Sequence, residues 1–195
     1  MRYGHAEALL PMVESAMNRA GLRPDDLDIV AVCTGPGGFT GLRAGIAAAH
    51  GIALATGARL VGVPAFAAVA AARGSESEER PGALLVALDT RRRDIYVQLF
   101  DSARRPLGTA EAISAESLPG WVAAAIGAAP LVVAGDAAAA AAAALAERPL
   151  LTAEPDSPTD ARGVASAGLR SRSPARPLYL RAPDVTLPRL RQMPG

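Results

Sequence analysis

One stretch constrains this chain more than any other. Leu27 to Cys33 (LDIVAVC) runs directly into Thr34-Gly35-Pro36-Gly37-Gly38-Phe39-Thr40-Gly41, and an Ala- and Gly-rich segment follows. The first part is β-branched and almost continuously apolar, as a strand buried on both faces is. Leu42 to Thr56 is expected as a helix, with Gly57 as its stop. Leu60-Val61-Gly62-Val63 reads as a second short strand, and Pro64 to Ala72 as another helix. Strand, helix, strand in that order calls for a parallel pair joined by a crossover, which places the chain in the α/β class.

The Gly-rich turn is also the strongest candidate for chemistry. Glycines between a strand and a helix let the backbone approach a ligand closely, and the N–H groups of the helix N-terminus favour an anion. On that reading Gly35, Gly37, Gly38, Thr40 and Gly41 are candidate nucleotide or phosphate contacts, with Asp89 as an orienting carboxylate at the end of a later strand. The turn lacks both a Walker lysine and the G-x-G-x-x-G spacing, so a plain tight turn accounts for the glycines equally. Asp89 reads equally as a turn cap, and Arg43 as an anion ligand or a solvated charge.

Before the strand, Ala6, Leu9, Leu10, Val13, Ala16, Met17 and Ala20 recur at three- and four-residue spacing, the mark of one helical face. Gly21 supplies its stop. Pro11 fits without loss only in a first turn, so the regular helix is expected to start near Leu10 or to kink there. In the second helix Gly41, Gly45, Ala49 and Ala53 fall four apart, a smooth stripe for close helix packing.

The polar interval Arg73 to Gly82 suggests a boundary, giving a first lobe over 1–76, a second over 81–175 and a basic, Pro-rich segment over 176–195. In the second lobe Ala83–Leu88 and Asp94–Phe100 read as a hairpin, Ser117–Ile126 as a helix, Leu131–Ala134 as a strand, Gly135-Asp136 as a turn and Ala137–Glu147 as a helix. Beyond Ala161 seven arginines face one acid, Asp184, and the prolines argue for irregular chain. Such an end is either solvated charge or an RNA contact; Arg91-Arg92-Arg93 admits the same two readings.

Composition bounds the rest. Half of the 195 residues are hydrophobic, enough for a sizeable core, and 20 basic against 19 acidic residues leave no overall pull toward nucleic acid or an anionic membrane. Cys33 is the one cysteine, so no internal disulfide forms, and its apolar strand makes it a small hydrophobe rather than a nucleophile. His5 and His50 sit far apart with no ligand cluster around them, and no metal site is expected. There is no uninterrupted apolar run of about 20 residues and no export-type opening, so a cytoplasmic, membrane-free protein is expected.

Three segments together resemble the bacterial TsaB (YeaZ) family: residues 4–22 (GHAEALLPMVESAMNRAGL), the stretch through Gly35-Pro36-Gly37-Gly38-Phe39-Thr40-Gly41-Leu42-Arg43, and LDTRRRDIYVQLFD over 88–101. PLYLRAPD, from Pro177 to Asp184, is similar to its C-terminal signature. Gly38 stands where the family usually has Ser, and Thr90 where it has Ala. The resemblance implies a two-lobed actin-like ATPase fold of ribonuclease-H-like sheets. It further implies a non-catalytic subunit that pairs with the catalytic paralogue TsaD and, with the ATPase TsaE, supports threonylcarbamoyl transfer to the tRNA adenosine beside the anticodon. Contact with tRNA is then indirect, no cofactor is bound tightly, and ATP or ADP belongs to the complex.

In catalytic relatives a histidine pair after the second strand binds metal; Val63 to Val69 here carries none. The first two helices would dock TsaD through Leu9, Leu10, Val13, Met17, Gly41, Arg43, Gly45, Ala49 and Ala53, or form a homodimer when TsaD is scarce. Family members also carry opening strands with an Ile-Asp-Thr-like motif, which do not precede His5 here, so the first lobe is expected to lack them and to expose sheet edge. Two other functions compete: a glycoprotease-like hydrolase or carbamoyl/phosphoryl transferase acting through the Gly-rich loop, and an RNA-binding module acting through the arginine-rich end.

Overall fold

The computed structural model describes residues 5–73, 82–154 and 158–181. Its first half alternates as the hydrophobic pattern requires: α1 (His5–Ala20), a single 3-10 turn at Pro24–Asp26, β1 (Ile29–Gly35), α2 (Phe39–Thr56), β2 (Arg59–Pro64) and α3 (Ala65–Ala72). β1 and β2 pair in parallel, with Ile29 opposite Arg59 and Cys33 opposite Val63.

α1 covers the whole periodic face from Ala6 to Ala20, with Pro11 inside it. Other boundaries differ from expectation: β1 lies two residues later, and α5 ends at Ala144 rather than Glu147. α2 begins three residues early because Gly38, in extended backbone, already receives the Leu42 N–H on its carbonyl at 2.9 Å. Thr40 and Gly41 therefore belong to the first helical turn, not to the loop.

The second half contributes β3 (Ala83–Asp89), β4 (Asp94–Phe100), β5 (Glu111–Ser114), α4 (Leu118–Ile126), β6 (Leu131–Ala134), α5 (Ala138–Ala144), β7 (Leu150–Glu154) and α6 (Ala161–Arg170). The sheet runs β5-β4-β3-β6-β7, antiparallel across the first three strands and parallel across the last three. Its two-residue period sorts side chains cleanly. Leu85, Ala87, Val97, Leu131 and Val133 face α4 and α5, while Leu84, Val86, Leu88, Val132 and Ala134 face α3. Phe66 of α3 is fully buried in that second cluster, so α3 is the seam between the halves.

Three elements escaped the sequence reading. β5 and β7 are only four and five residues long. α6, ARGVASAGLR, carries few large apolar residues, and it packs through its glycines: a Cβ at Gly163 would strike the Ala68 carbonyl, and one at Gly168 would meet Ala31. Its N-terminus is capped by Asp160, whose carboxylate accepts the Gly163 N–H at 2.7 Å. Although α6 lies within the span assigned to the second lobe, it packs on α3, β1 and β2, and so covers the sheet of the first. The boundary segment 74–81 and the tail 182–195 lie outside the described residues.

Candidate functional site

The Gly-rich turn opens onto a small cleft between the two sheets. Its volume is about 230 Å³, and its lining includes Gly37, Gly38, Asp89, Arg91, Tyr96 and Asp136. Of the six candidate nucleotide contacts, the structure thus brings Gly37, Gly38 and Asp89 together. Gly35 is buried at the end of β1, and Thr40 and Gly41 lie on the exposed first turn of α2, outside the lining.

Both carboxylates in the cleft are occupied within the chain. Asp136 accepts the Asp89 N–H at 2.8 Å, and Asp89 accepts the Arg91 N–H at 2.6 Å, a local turn that places Arg91 at φ 57°. Sequence reasoning noted the Gly135-Asp136 turn but did not connect it with Asp89, because the pairing spans two parallel strands. The cleft is smaller than the roughly 300–1,000 Å³ usual for ligand pockets, and its lining sets Asp89 and Asp136 beside Arg91.

The second candidate is the outer layer formed by α1 and α2. Leu9, Val13 and Met17 are half-buried where the helices meet, while Leu10 and Met12 are 54% and 60% exposed. Leu54 of α2 is 88% exposed. A groove of about 340 Å³ runs between the helices, lined by Leu10, Val13, Met17, Leu22, Leu27 and Ile52. Met12 and Leu54 were missed because neither falls on the periodic face that defined its helix.

One interface assignment is corrected. Ala49 is buried with Ile46 against the chain's own fold. The reason is geometric: at 3.6 residues per turn, a step of four advances about 40° around the helix. The Gly41–Gly45–Ala49–Ala53 row therefore winds from an exposed face at Gly41 to a buried one at Ala49. At Gly45 an added Cβ would meet nothing within 4 Å, so that part of the row is open. Arg43 is engaged within the chain: its guanidinium stacks 3.7 Å above the Phe39 ring, and its Nε donates to the Tyr179 hydroxyl at 3.0 Å.

Cys33 is partly buried. Its thiol is pushed up from the ordinary value by that burial, against a lesser lowering by the Gly35 backbone. Among the described residues, no group of three or more His, Cys, Asp or Glu side chains is placed to hold a metal ion. No described helix is long and apolar enough to cross a membrane.

A mixed five-stranded sheet flanked by helices, joined through α3 to a smaller parallel sheet, defines a two-lobed protein of the actin-like class. Residues 2–146 match the family model described as TsaD: tRNA N6-adenosine threonylcarbamoyltransferase, and the chain belongs to that family. An uncharacterized protein of Mycobacterium bovis, Mb3455c, is 37% identical over 182 residues, 93% of this chain and 77% of that protein. The tRNA threonylcarbamoyladenosine biosynthesis protein TsaB of Escherichia coli is 33% identical over 92 residues, covering 47% of this chain and 39% of TsaB. Among solved structures, a Pseudomonas aeruginosa protein described as similar to peptidase YEAZ superposes with a TM-score of 0.73 at 26% identity, across 92% of this chain and 85% of that one.

Proposed function

We propose that this chain is a docking subunit in the modification of tRNA with threonylcarbamoyladenosine, supporting a TsaD partner that carries out the transfer beside the anticodon. The observation that carries the reading is the α1–α2 layer. Leu10, more than half exposed, lines an apolar groove between the two helices with Val13, Met17, Leu22, Leu27 and Ile52, and Met12 and Leu54 are further exposed apolar side chains on the same helices outside that lining; exposed apolar surface of this kind marks a protein-binding site. Membership of the tRNA N6-adenosine threonylcarbamoyltransferase family and the similarity to E. coli TsaB support the same chemistry.

Two further features favour a supporting role. The run from Val63 to Val69 is spent on packing, since Val63, Ala65, Phe66, Ala68 and Val69 are all buried in the core. In the cleft, the carboxylates of Asp89 and Asp136 hold backbone N–H groups. On this reading ATP or ADP acts at the level of the complex, TsaE joins through it, tRNA is reached indirectly, and a homodimer forms through the same helices when TsaD is scarce.

Co-expression with the TsaD of the same genome tests the proposal. A stable heterodimer on size exclusion is expected, lost when Leu10 and Leu54 are both changed to Asp. Failure of the parent chain to bind TsaD, or threonylcarbamoyl transfer by the isolated chain, would overturn it.

A further inference from the structure

The segment after α6 crosses from one half of the molecule to the other. It first lies along β2. The Ser171 hydroxyl donates to the Gly62 carbonyl at 2.7 Å, and the Gly62 N–H donates to the Ser173 carbonyl at 2.8 Å. It then reaches the end of β1, where the Leu178 N–H donates to the Thr34 carbonyl at 2.8 Å. Tyr179 stands over the start of α2, with ring centroids 6.0 Å from Phe39 and its hydroxyl on Arg43. Leu180 packs into the cluster of α3, β3 and β4. Arg181 forms an ion pair with Asp94 of β4, and its guanidinium lies 5.7 Å from the Tyr96 ring.

The segment thus grips one lobe and then the other. Leu178 and Tyr179 hold β1 and α2, Leu180 enters the shared cluster beneath α3, and Arg181 holds the five-stranded sheet. A segment that merely followed one surface would not bond to both. The Arg181–Asp94 pair is mostly shielded from solvent, with side chains 28% and 23% exposed, so it is less screened than an ordinary surface pair. Arg43 contributes at both ends of its reach, stacking on Phe39 of its own helix and donating to Tyr179 of the crossing segment.

We propose that residues 178–181 are a clasp between the lobes, and that Tyr179 and Arg181 are positioning residues which fix the N-terminal end of α2 against β4, presenting the docking helices in one orientation. The docking half of this inference rests on the function proposed above; the clasp itself does not.

The experiment pairs a distance readout with a binding readout. In a Cys33→Ala background, spin labels at Ala47→Cys of α2 and Ala124→Cys of α4, both exposed, report the separation of the halves. The parent is expected to give a narrow distance distribution. Arg181→Ala and Asp94→Asn should broaden it, and the exchange Arg181→Asp with Asp94→Arg should narrow it again. Tyr179→Phe, which keeps the ring and removes the hydroxyl, should broaden it less. The Kd for TsaD should rise about three- to tenfold in the same order, the range for loss of a partly shielded charge pair, and fall back in the exchange variant.

Unchanged distributions in both single variants would overturn the clasp. Broadening with an unchanged Kd would overturn the positioning role. If the parent chain does not bind TsaD at all, the docking reading falls, and with it the positioning role, while the distance measurements still decide whether the clasp exists. Circular dichroism of each variant separates local release from global unfolding, and the exchange variant restores a folded reference should either single change unfold the chain.

Discussion

Truncating Leu54 to Ala separates a docking role from a folding role with one substitution. Its side chain is 88% exposed, so the fold gains almost nothing from it. An exposed helical Leu→Ala change alters stability by at most about 0.5 kcal/mol, and Ala is the better helix former. Burying a Leu side chain completely contributes roughly 1.5–3 kcal/mol, so the part still available to a partner is worth about 1.3–2.6 kcal/mol. At about 1.4 kcal/mol per decade, that predicts a Kd for TsaD weakened roughly 10- to 70-fold. Calorimetric titration of TsaD into parent and variant measures it, beside thermal melts of each. Leu169 of α6, 72% exposed and far along the chain from the docking helices, is the control, and Leu169→Ala should leave the Kd unchanged. A Leu54→Ala variant that binds within twofold of the parent, or a Leu169→Ala variant that loses as much, would refute the placement of the docking surface on α2.

Phe66→Ala opens a cavity at the seam beneath α3 and should cost about 3–5 kcal/mol in urea denaturation; a loss under 1 kcal/mol would mean that the two halves are not joined through this side chain. Asp160→Ala removes the cap on α6 and should cost about 0.5–2 kcal/mol, with Asp160→Asn retaining most of it. Because burial raises the Cys33 thiol, the unfolded chain ionises first. Its contribution is complete below the ordinary thiol range and is lost as pH rises from there through the native value. Comparison of urea midpoints at neutral and alkaline pH should show a decline that Cys33→Ala lessens, and an equal decline in that variant would count against a buried thiol. Gly45→Leu, entering open space on α2, should leave stability equal or higher by up to about 1 kcal/mol while weakening TsaD binding; a destabilised variant with normal affinity would reverse that assignment.

The parallel pair, the hairpin and the seam helix were legible because each is written in its apolar pattern: LDIVAVC for β1, a continuous apolar run for β3, alternating burial for β4, and AFAAVAAA for α3. α6 was not, because its packing depends on small residues approaching a neighbouring backbone, as at Gly163 against Ala68, and that leaves no apolar stripe to read. The cleft was half legible. Asp89 stood out at a strand end, but its link to Asp136 depends on β6 lying beside β3, a topological fact with no local signature. The Ala49 assignment failed for a different reason: spacing of four was treated as a straight row, whereas the helix turns it inward.

The two most distinctive motifs of the chain, the Gly-rich turn and PLYLR, are more than 130 residues apart in sequence, yet they meet. Gly35 sits at φ +98°, a left-handed conformation in which most side chains are strained, and a Cβ there would come within 3.1 Å of Leu42 and 3.4 Å of the Leu178 carbonyl. Gly62, on the neighbouring strand, has no room for a Cβ because the Pro174 carbonyl occupies that space. Gly35, which looked suited to admitting a phosphate, is required by its own backbone conformation and by Leu42, whereas Gly62 is required to admit the crossing segment. Gly37 and Gly38 differ, since a Cβ at either would meet nothing within 4 Å. The glycines therefore divide into those that backbone conformation or close packing demands and those that they do not, and substitution by Ala should divide them the same way: poorly tolerated at Gly35 and Gly62, well tolerated at Gly37 and Gly38 unless a ligand approaches there.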